Sequence, residues 1–308
     1  MLLHFNIFKM MPSGFFIAIA AGFGGMLGWG FADFFAKKTI DEIGSTASLV
    51  WGHAFGVLAL GFIALYQFVA LGKGIFIPRD PVELGTIAFF GVLQACIYFL
   101  VYRGFEKGQL AVLSPIFASY SGIAALFSLL VLGEAIRGNM LLALGIIFFG
   151  ILLLNIDVSA LRLKRMRLVG APGFKEVGLA AILAAFWTVS WDRFIGGKEW
   201  LSYAFVMYVC IALAAWLISR LQKTNLAVAR PGLWKFLALI GACEVAAYLA
   251  ISLGFSLTPH LSVVAILSSA FSLPAMALAY VFLKERMSAV QTAGGVIIVA
   301  GIMLLSMF

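Results

Sequence analysis

This sequence has very little charge. Asp, Glu, Lys and Arg make up 11% of its 308 residues and 64% are hydrophobic, whereas a soluble domain carries about 25% charged residues. One soluble core could not bury so many apolar side chains, so lipid must solvate most of the chain. The shortage of charge therefore predicts an integral membrane protein.

Cysteine, histidine and catalytic motifs are also scarce. Three cysteines lie inside apolar runs and form no CxxC pair, and three histidines lie far apart. The sequence has no HExxH, no Gly-rich phosphate loop and no GxSxG. We therefore expect no metal site, no cofactor and no enzyme. The net charge of +8 comes from basic residues between apolar runs, so it indicates membrane anchoring and no nucleic-acid partner.

What the sequence does contain is a series of apolar runs long enough to cross a bilayer as helices, about 20 residues each. The longest connection, about 156–175, is basic and divides the runs into two groups of five. The sequence predicts ten transmembrane helices, close to residues 15–36, 46–70, 83–104, 109–132, 138–155, 176–197, 201–219, 233–255, 260–282 and 289–307.

The two groups of five resemble each other. A set of residues recurs after 150 positions: Gly91, Gln94, Tyr98 and Gly104 return as Gly241, Glu244, Tyr248 and Gly254. Because five is odd, the second half must insert upside down relative to the first. We expect an all-α fold of two inverted repeats, 1–155 and 176–308, joined by the linker 156–175. Such repeats are typical of secondary transporters, whose sites lie near the membrane midplane between them.

Glycine and proline predict how the helices pack. Gly24 and Gly28, like Gly52 and Gly56, have the small-xxx-small spacing that lets helices approach closely in lipid. Pro274 lies inside the ninth predicted span and should kink it.

The distribution of basic residues predicts orientation. Alternate loops place 15 Lys and Arg residues on one side and 6 on the other, a division of all 21. The positive-inside rule then puts the richer side in the cytoplasm and both termini outside it. We expect a multi-pass protein of a bacterial or archaeal inner membrane, as a monomer or a homodimer.

Several motifs resemble a known family. The fourth predicted span ends in Leu132-Gly133-Glu134 and the ninth in Lys284-Glu285-Arg286, and the first contains WGFADFFAKK. Glycines follow each glutamate, at positions 145 and 150 and at positions 294 and 301. With ten spans in two halves, these features resemble the EamA-type branch of the drug/metabolite transporter superfamily. The resemblance implies a carrier that moves metabolites such as amino acids, often outward and in exchange for protons, without ATP. Relatives commonly have cytoplasmic termini, whereas the charge count here predicts the reverse.

Glu244 is the strongest candidate for a binding residue. It lies in the middle of the eighth predicted span, where an ionisable group costs roughly 2.5–3.5 kcal/mol and persists with a partner or a function. Desolvation favours its protonated form, which a proton-coupled carrier needs. Tyr248 shares its face one turn later, and Gln94 and Tyr98 are the repeat-related pair. A buried neutral glutamate bonded to another helix is the alternative.

Other candidates have weaker support. Asp33 and Asp192 follow Trp29 and Trp187 by four or five residues, and both lie near predicted span ends. They could contact a substrate amine or gate the site, or simply extend to the membrane interface. Arg103 could attract a substrate carboxylate or anchor its helix. His53 could titrate or only pack.

We expect a secondary transporter that exports small metabolites, with the bilayer, a small-molecule substrate and possible proton coupling as its partners. An exchanger of nucleotide sugars or phosphate esters is the first alternative, but it needs several basic residues in the cavity. An intramembrane enzyme acting on lipids would need clustered acids or histidines at one membrane face. A scaffold subunit would have no cavity.

Overall fold

In the computed structural model of the protein, the residues described are 13–74, 76–107, 117, 120, 123, 124, 127, 138–154, 173–283 and 289–305. Most of the fourth predicted span, residues 156–172 of the linker, Glu134, the segment Lys284–Glu285–Arg286 and both termini lie outside them. All regular structure in the described ranges is helical.

Ten α-helices occupy these ranges. They are α1 Ser13–Ile43, α2 Ser45–Leu71, α3 Pro81–Lys107, α4 Gly138–Leu154, α5 Phe174–Ile195, α6 Trp200–Leu221, α7 Trp234–Leu257, α8 Leu261–Ser269, α9 Ser272–Leu283 and α10 Ala289–Leu305. A short 3-10 helix, Pro231–Leu233, leads into α7. Six stretches are long and apolar enough to cross a membrane: Gly14–Ile40, Ser45–Ala70, Pro81–Gly104, Phe174–Ile195, Leu201–Leu221 and Pro231–Leu257.

Proline and aspartate mark where α3 begins. Pro81 is its first residue, where the missing N–H has no helical partner to lose. The carboxylate of Asp80 accepts hydrogen bonds from the backbone N–H groups of Val82 and Glu83, both at 3.3 Å. These bonds satisfy two of the free donors at the start of a helix.

The helix α1 is longer than predicted, and this changes the place of Asp33. Charge at Lys37 and Lys38 ends the apolar run at residue 36, yet the helix continues to Ile43. The Lys38 ammonium lies 5.3 Å from the ring centroids of both Phe34 and Phe236, so its stem packs along the bundle. Asp33 is therefore ten residues before the last residue of α1, about 15 Å from that end, rather than three residues before it as the predicted span 15–36 implied.

The ninth predicted span is interrupted. It forms α8 and α9, with a break at residues 270–271. Pro274 has no N–H to donate to the carbonyl of Ala270, four residues earlier. That carbonyl instead accepts from the N–H of Leu273 at 2.9 Å, a tighter turn that interrupts the helix. The predicted distortion is present, one turn before the proline.

The helices of residues 13–154 pack mainly against the helices of residues 173–305. Helix α1 packs on α7, α8 and α9, and α2 packs on α7 and α6. Helix α3 packs on α5 and α6, and α4 packs on α10.

Polar contacts define the two ends of this bundle. At the end where α1 reaches Ile43, the Lys107 ammonium lies 2.6 Å from the Glu176 carboxylate, and the Arg230 guanidinium lies 2.6 Å from that of Glu42. The backbone N–H and hydroxyl of Ser45 both donate to Glu106 there. We call this the Ile43 side. At the opposite Ser13 side, the Lys198 ammonium lies 2.5 Å from the Glu83 carboxylate.

Candidate substrate site

Glycines bring α7, which carries Glu244, close to two helices of the first half. A Cβ on Gly241 would lie 2.5 Å from the backbone oxygen of Gly52 in α2. A Cβ on Gly28 would lie 2.7 Å from the backbone oxygen of Cys243 in α7. Any side chain at these positions would force the helices apart. The small residues therefore place the middle of α7 directly against α1 and α2.

Near the middle of α7, a hydrogen bond between two predicted site residues connects the two halves of the chain. The Tyr98 hydroxyl of α3 donates to Oε2 of Glu244 in α7 at 2.9 Å. Glu244 is only 3% exposed. A buried carboxyl group without partners would be severely destabilising, and this bond offsets part of that cost.

His53 lies beside the same tyrosine. Its ring centroid is 5.2 Å from that of Tyr98, and it stacks on Tyr208 at 5.2 Å with 21° between the planes. The Nδ1 atom lies 2.9 Å from the backbone oxygen of Leu49, which can only accept, so Nδ1 carries a proton. In the neutral ring, Nε2 is then an acceptor. It is buried and has no hydrogen-bond partner among the described residues.

A continuous wall of aromatic rings extends from His53. Tyr208 contacts Tyr248 edge to face at 5.7 Å, and Tyr248 contacts Trp187 at 5.8 Å. Trp187 stacks on Trp191 at 5.8 Å. The Trp187 indole N–H donates to the Phe90 backbone oxygen at 3.1 Å, which fixes this wall against α3.

Gln94 and Tyr248 occupy the positions that correspond to Glu244 and Tyr98 in the other half. Gln94 is 7% exposed, and its Oε1 has no hydrogen-bond partner among the described residues. Among the described residues, the Tyr248 hydroxyl donates only to the Met207 sulfur, at 3.6 Å. The site is therefore asymmetric: one tyrosine is bonded to a carboxyl group, and the other has a weak acceptor.

The Ile43 side of the cluster is more accessible than the Ser13 side. Asp33 is exposed, Tyr102 is half-buried, and Asp33 interacts electrostatically with Glu244 and Tyr102. Trp29 is also half-buried, and its indole ring lies near the Glu244 carboxyl group. Its indole N–H does not complete a hydrogen bond with any of the described residues. Tyr248 lies one helical turn from Glu244 toward the Ser13 side, and it is only 3% exposed.

Two predicted site residues lie apart from this cluster. Arg103 is exposed on α3, where its guanidinium lies 5.4 Å from the Phe99 ring centroid and near Glu176. Asp192 is half-buried near the Ser13 end of α5, and its backbone oxygen accepts from Gly196 at 3.1 Å.

Sequence reasoning missed Tyr208, Trp191 and Tyr102. Tyr102 follows Tyr98 by one helical turn, so the spacing could have identified it. Tyr208 and Trp191 lie in α6 and α5 without polar neighbours in sequence, and an aromatic residue in a membrane span is usually a packing residue. Among the described residues, no group of three His, Cys, Asp or Glu side chains could hold a metal ion.

Comparisons with known proteins agree with this architecture. This chain superposes with a TM-score of 0.71 on a solved structure that is described only as "Crystal structure of protein". The match covers 93% of this chain and 95% of that chain, at 16% sequence identity. At that identity the likeness shows the fold alone. No curated protein matches the sequence. The model of the EamA-like transporter family matches residues 16–156 and 177–307. The chain therefore belongs to the EamA-like transporter family of the drug/metabolite transporter superfamily, as a multi-pass membrane protein.

Proposed function

We propose that this protein exports small metabolites such as amino acids in exchange for protons, by alternating access to the site around Glu244. The observation that carries the proposal is the 2.9 Å bond from Tyr98 to a buried Glu244. It places one ionisable group in the middle of the bundle, where two halves of the chain meet. An ionisable group at that depth is expensive and is typical of a proton or substrate pathway.

Alternating access needs two halves of related structure, and the glycine contacts support this part of the proposal. Gly91 of α3 approaches α6, and its repeat counterpart Gly241 of α7 approaches α2. Gly104 of α3 approaches α5, and its counterpart Gly254 approaches α1. Each of these crossings joins a helix of one half to a helix of the other, and the two members of each pair join corresponding helices. We therefore propose ten spans in two inverted repeats, 1–155 and 176–308, connected by the linker 156–175.

The difference in exposure between the two sides suggests which state is present. Asp33, Trp29 and Tyr102 form a partly accessible approach from the Ile43 side. The buried wall of Tyr248, Trp187 and their neighbours closes the Ser13 side. Charge bias assigns the Ile43 side to the cytoplasm. A carrier in this state is ready to load substrate from the cytoplasm, as an exporter must be.

Proton exchange follows from the chemistry of one carboxyl group. When Glu244 faces outside it takes up a proton and releases the substrate. When it faces inside it loses the proton to the cytoplasm and can bind the next substrate. Each cycle then moves one proton inward and one substrate outward, because the two compete for the same group.

The alternatives have less support. An exchanger of phosphate esters would need basic residues at the site, and Arg103, the main candidate, lies at the surface instead. A lipid-modifying enzyme would need acids or histidines clustered at a membrane face. His53 and Glu244 are instead buried inside their helices, eight residues after the start of α2 and ten residues after the start of α7.

The test is counter-flow of labelled amino acids in proteoliposomes, with and without a pH gradient. We expect accumulation against a concentration gradient when protons can move the other way. The absence of any gradient-dependent flux across a broad set of amino acids and amines would refute proton-coupled transport. Glu176→Gln, at an exposed ion pair, is the matched control for variants of Glu244.

A further inference from the structure

We propose that the site selects an organic ammonium cation with an apolar, preferably aromatic body, and discriminates against molecules that carry a carboxylate or phosphate. The inference rests on the proposed function and names the substrate class of the same site. It narrows the small metabolites proposed above to amines, and it excludes amino acids because they carry a carboxylate.

The first argument is that the sequence places no Lys or Arg near the middle of any predicted span. In the spans that the structure describes, every Lys and Arg lies within four residues of a span end: Lys37, Lys38, Arg103, Lys175, Arg193, Arg220 and Lys235. Arg103, Arg193 and Lys235 are exposed, and Lys38 packs over Phe34 and Phe236 near the Ile43 side. An anionic group brought to Glu244 would find no cation among the described side chains there and would be repelled by two carboxyl groups, Glu244 and Asp33.

The second argument is the supply of unoccupied acceptors. Gln94 Oε1 and His53 Nε2 are both buried and have no hydrogen-bond partner in the described part of the chain. A buried acceptor without a donor costs about 1–3 kcal/mol, so an arrangement that keeps two of them indicates a donor that arrives from outside. Gln94 lies one helical turn from Tyr98, and His53 contacts the Tyr98 ring.

An ammonium group matches this set. It has three N–H donors and no acceptor. The Glu244 carboxylate, the Gln94 amide oxygen and His53 Nε2 offer three acceptors, and the Tyr208 hydroxyl, buried without a partner among the described residues, offers a fourth. The Tyr98 hydroxyl already donates a hydrogen bond to Glu244. An ammonium group that binds Glu244 can take the place of this donor.

The third argument is the aromatic wall. The faces of tyrosine and tryptophan attract cations, by about 0.5–2 kcal/mol per ring depending on desolvation. Tyr98 and Tyr208 both contact the ring of His53, and the ring contacts continue from Tyr208 to Tyr248 and Trp187. The same rings provide apolar area for the body of the substrate. Asp33 lies on the accessible approach and would attract the cation toward Glu244.

The test uses three ligands with the same ring and almost the same chain: 2-phenylethylamine, phenylalanine and 3-phenylpropionate. Binding to the purified, full-length protein in detergent is measured by isothermal titration calorimetry. We expect the amine to bind at least about tenfold more tightly than the amino acid, a difference of about 1.4 kcal/mol, and we expect no competition from the acid. Equal or tighter binding of phenylalanine, competition by 3-phenylpropionate, or no binding of the amine at millimolar concentration overturns the proposal.

A variant then locates the site. Glu244→Gln should weaken binding of the amine by about tenfold or more, whereas Glu176→Gln should leave it unchanged. Unchanged affinity in Glu244→Gln would place the ammonium elsewhere and overturn the assignment. If Glu244→Gln does not fold, the ligand series on the unchanged protein still decides the substrate class.

The outcomes are also separable from those that test the proposed function. Flux of phenylalanine without preference for the amine refutes this inference and leaves transport intact, whereas amine binding without gradient-driven flux refutes proton coupling alone.

Discussion

The imidazole of His53 stacks on the phenol ring of Tyr208, with 5.2 Å between centroids and 21° between planes. The two residues come from α2 and α6, which are counterparts in the proposed inverted repeat. A contact between counterparts is expected where a symmetry axis passes through the molecule. This stacked pair also lies next to Tyr98, the residue that bonds Glu244. The proposed axis therefore passes close to the proposed substrate site.

The first prediction concerns that axis. In an experimental structure, residues of 1–155 should superpose on 176–308 after rotation about an axis in the membrane plane, and Tyr98 should coincide with Tyr248. The physical reason is that each half crosses the membrane an odd number of times and carries the same glycine spacing. A structure in which the two tyrosines occupy unrelated helices would refute the inverted repeat.

The second prediction concerns the glycine at the crossing of α3 with α6. A Cβ on Gly91 would lie 2.5 Å from the Cβ of Cys210 and 2.8 Å from the backbone oxygen of Met207. Gly91→Ala should destabilise the protein by about 1–3 kcal/mol through overpacking, measured as a lower thermal aggregation temperature in detergent. Its counterpart Gly241→Ala should behave alike.

The control for Gly91 is Gly85 on the same helix. A Cβ there has no neighbouring atom within 4 Å among the described residues. Gly85→Ala should leave stability unchanged or raise it slightly, because alanine favours the helix. If both substitutions on α3 lowered stability equally, the close approach at Gly91 would not be the cause.

The third prediction concerns orientation. A phosphatase fused after Phe308 should be active outside the cytoplasm, because 15 of the 21 Lys and Arg residues fall on the opposite side. A fluorescent-protein fusion at the same place should remain dark when it is exported unfolded. Bright cytoplasmic fluorescence from the full-length fusion would reverse the orientation, and with it the identification of the accessible side as cytoplasmic.

Much of the site was predictable because repetition and depth are properties of sequence. Glu244, Tyr98 and Gln94 followed from the 150-residue repeat and from the cost of a carboxyl group in mid-membrane. The prediction failed where a charge was used to end a helix. Lys38 ends the apolar run, but its long stem packs over Phe34 and Phe236, so α1 continues to Ile43 and Asp33 lies ten residues before its end.

Tertiary partners explain the other omissions. No pattern along the chain shows that Tyr208 of α6 will face His53 of α2, because the contact depends on how Gly56 lets the two helices approach. A Cβ on Gly56 would lie 2.5 Å from the Tyr208 hydroxyl oxygen. Likewise, Arg103 shares α3 with Tyr98 but lies five residues away, which turns it to a different face.

The last prediction concerns Glu244, the one carboxyl group that Tyr98 bonds inside the bundle. Glu244→Gln retains the shape of the side chain and an oxygen that can accept from Tyr98, so folding should persist. Gln94, at the repeat-related position, shows that the bundle already accommodates an amide there. The substitution removes the only proton that this group can exchange.

In proteoliposomes, transport driven by a pH gradient should therefore fall severely in Glu244→Gln. Exchange at saturating substrate on both sides should survive better, because exchange needs no net proton movement. Unchanged gradient-driven uptake would show that Glu244 is structural and that coupling resides in another group, with Asp33, Asp192 and His53 the next to substitute.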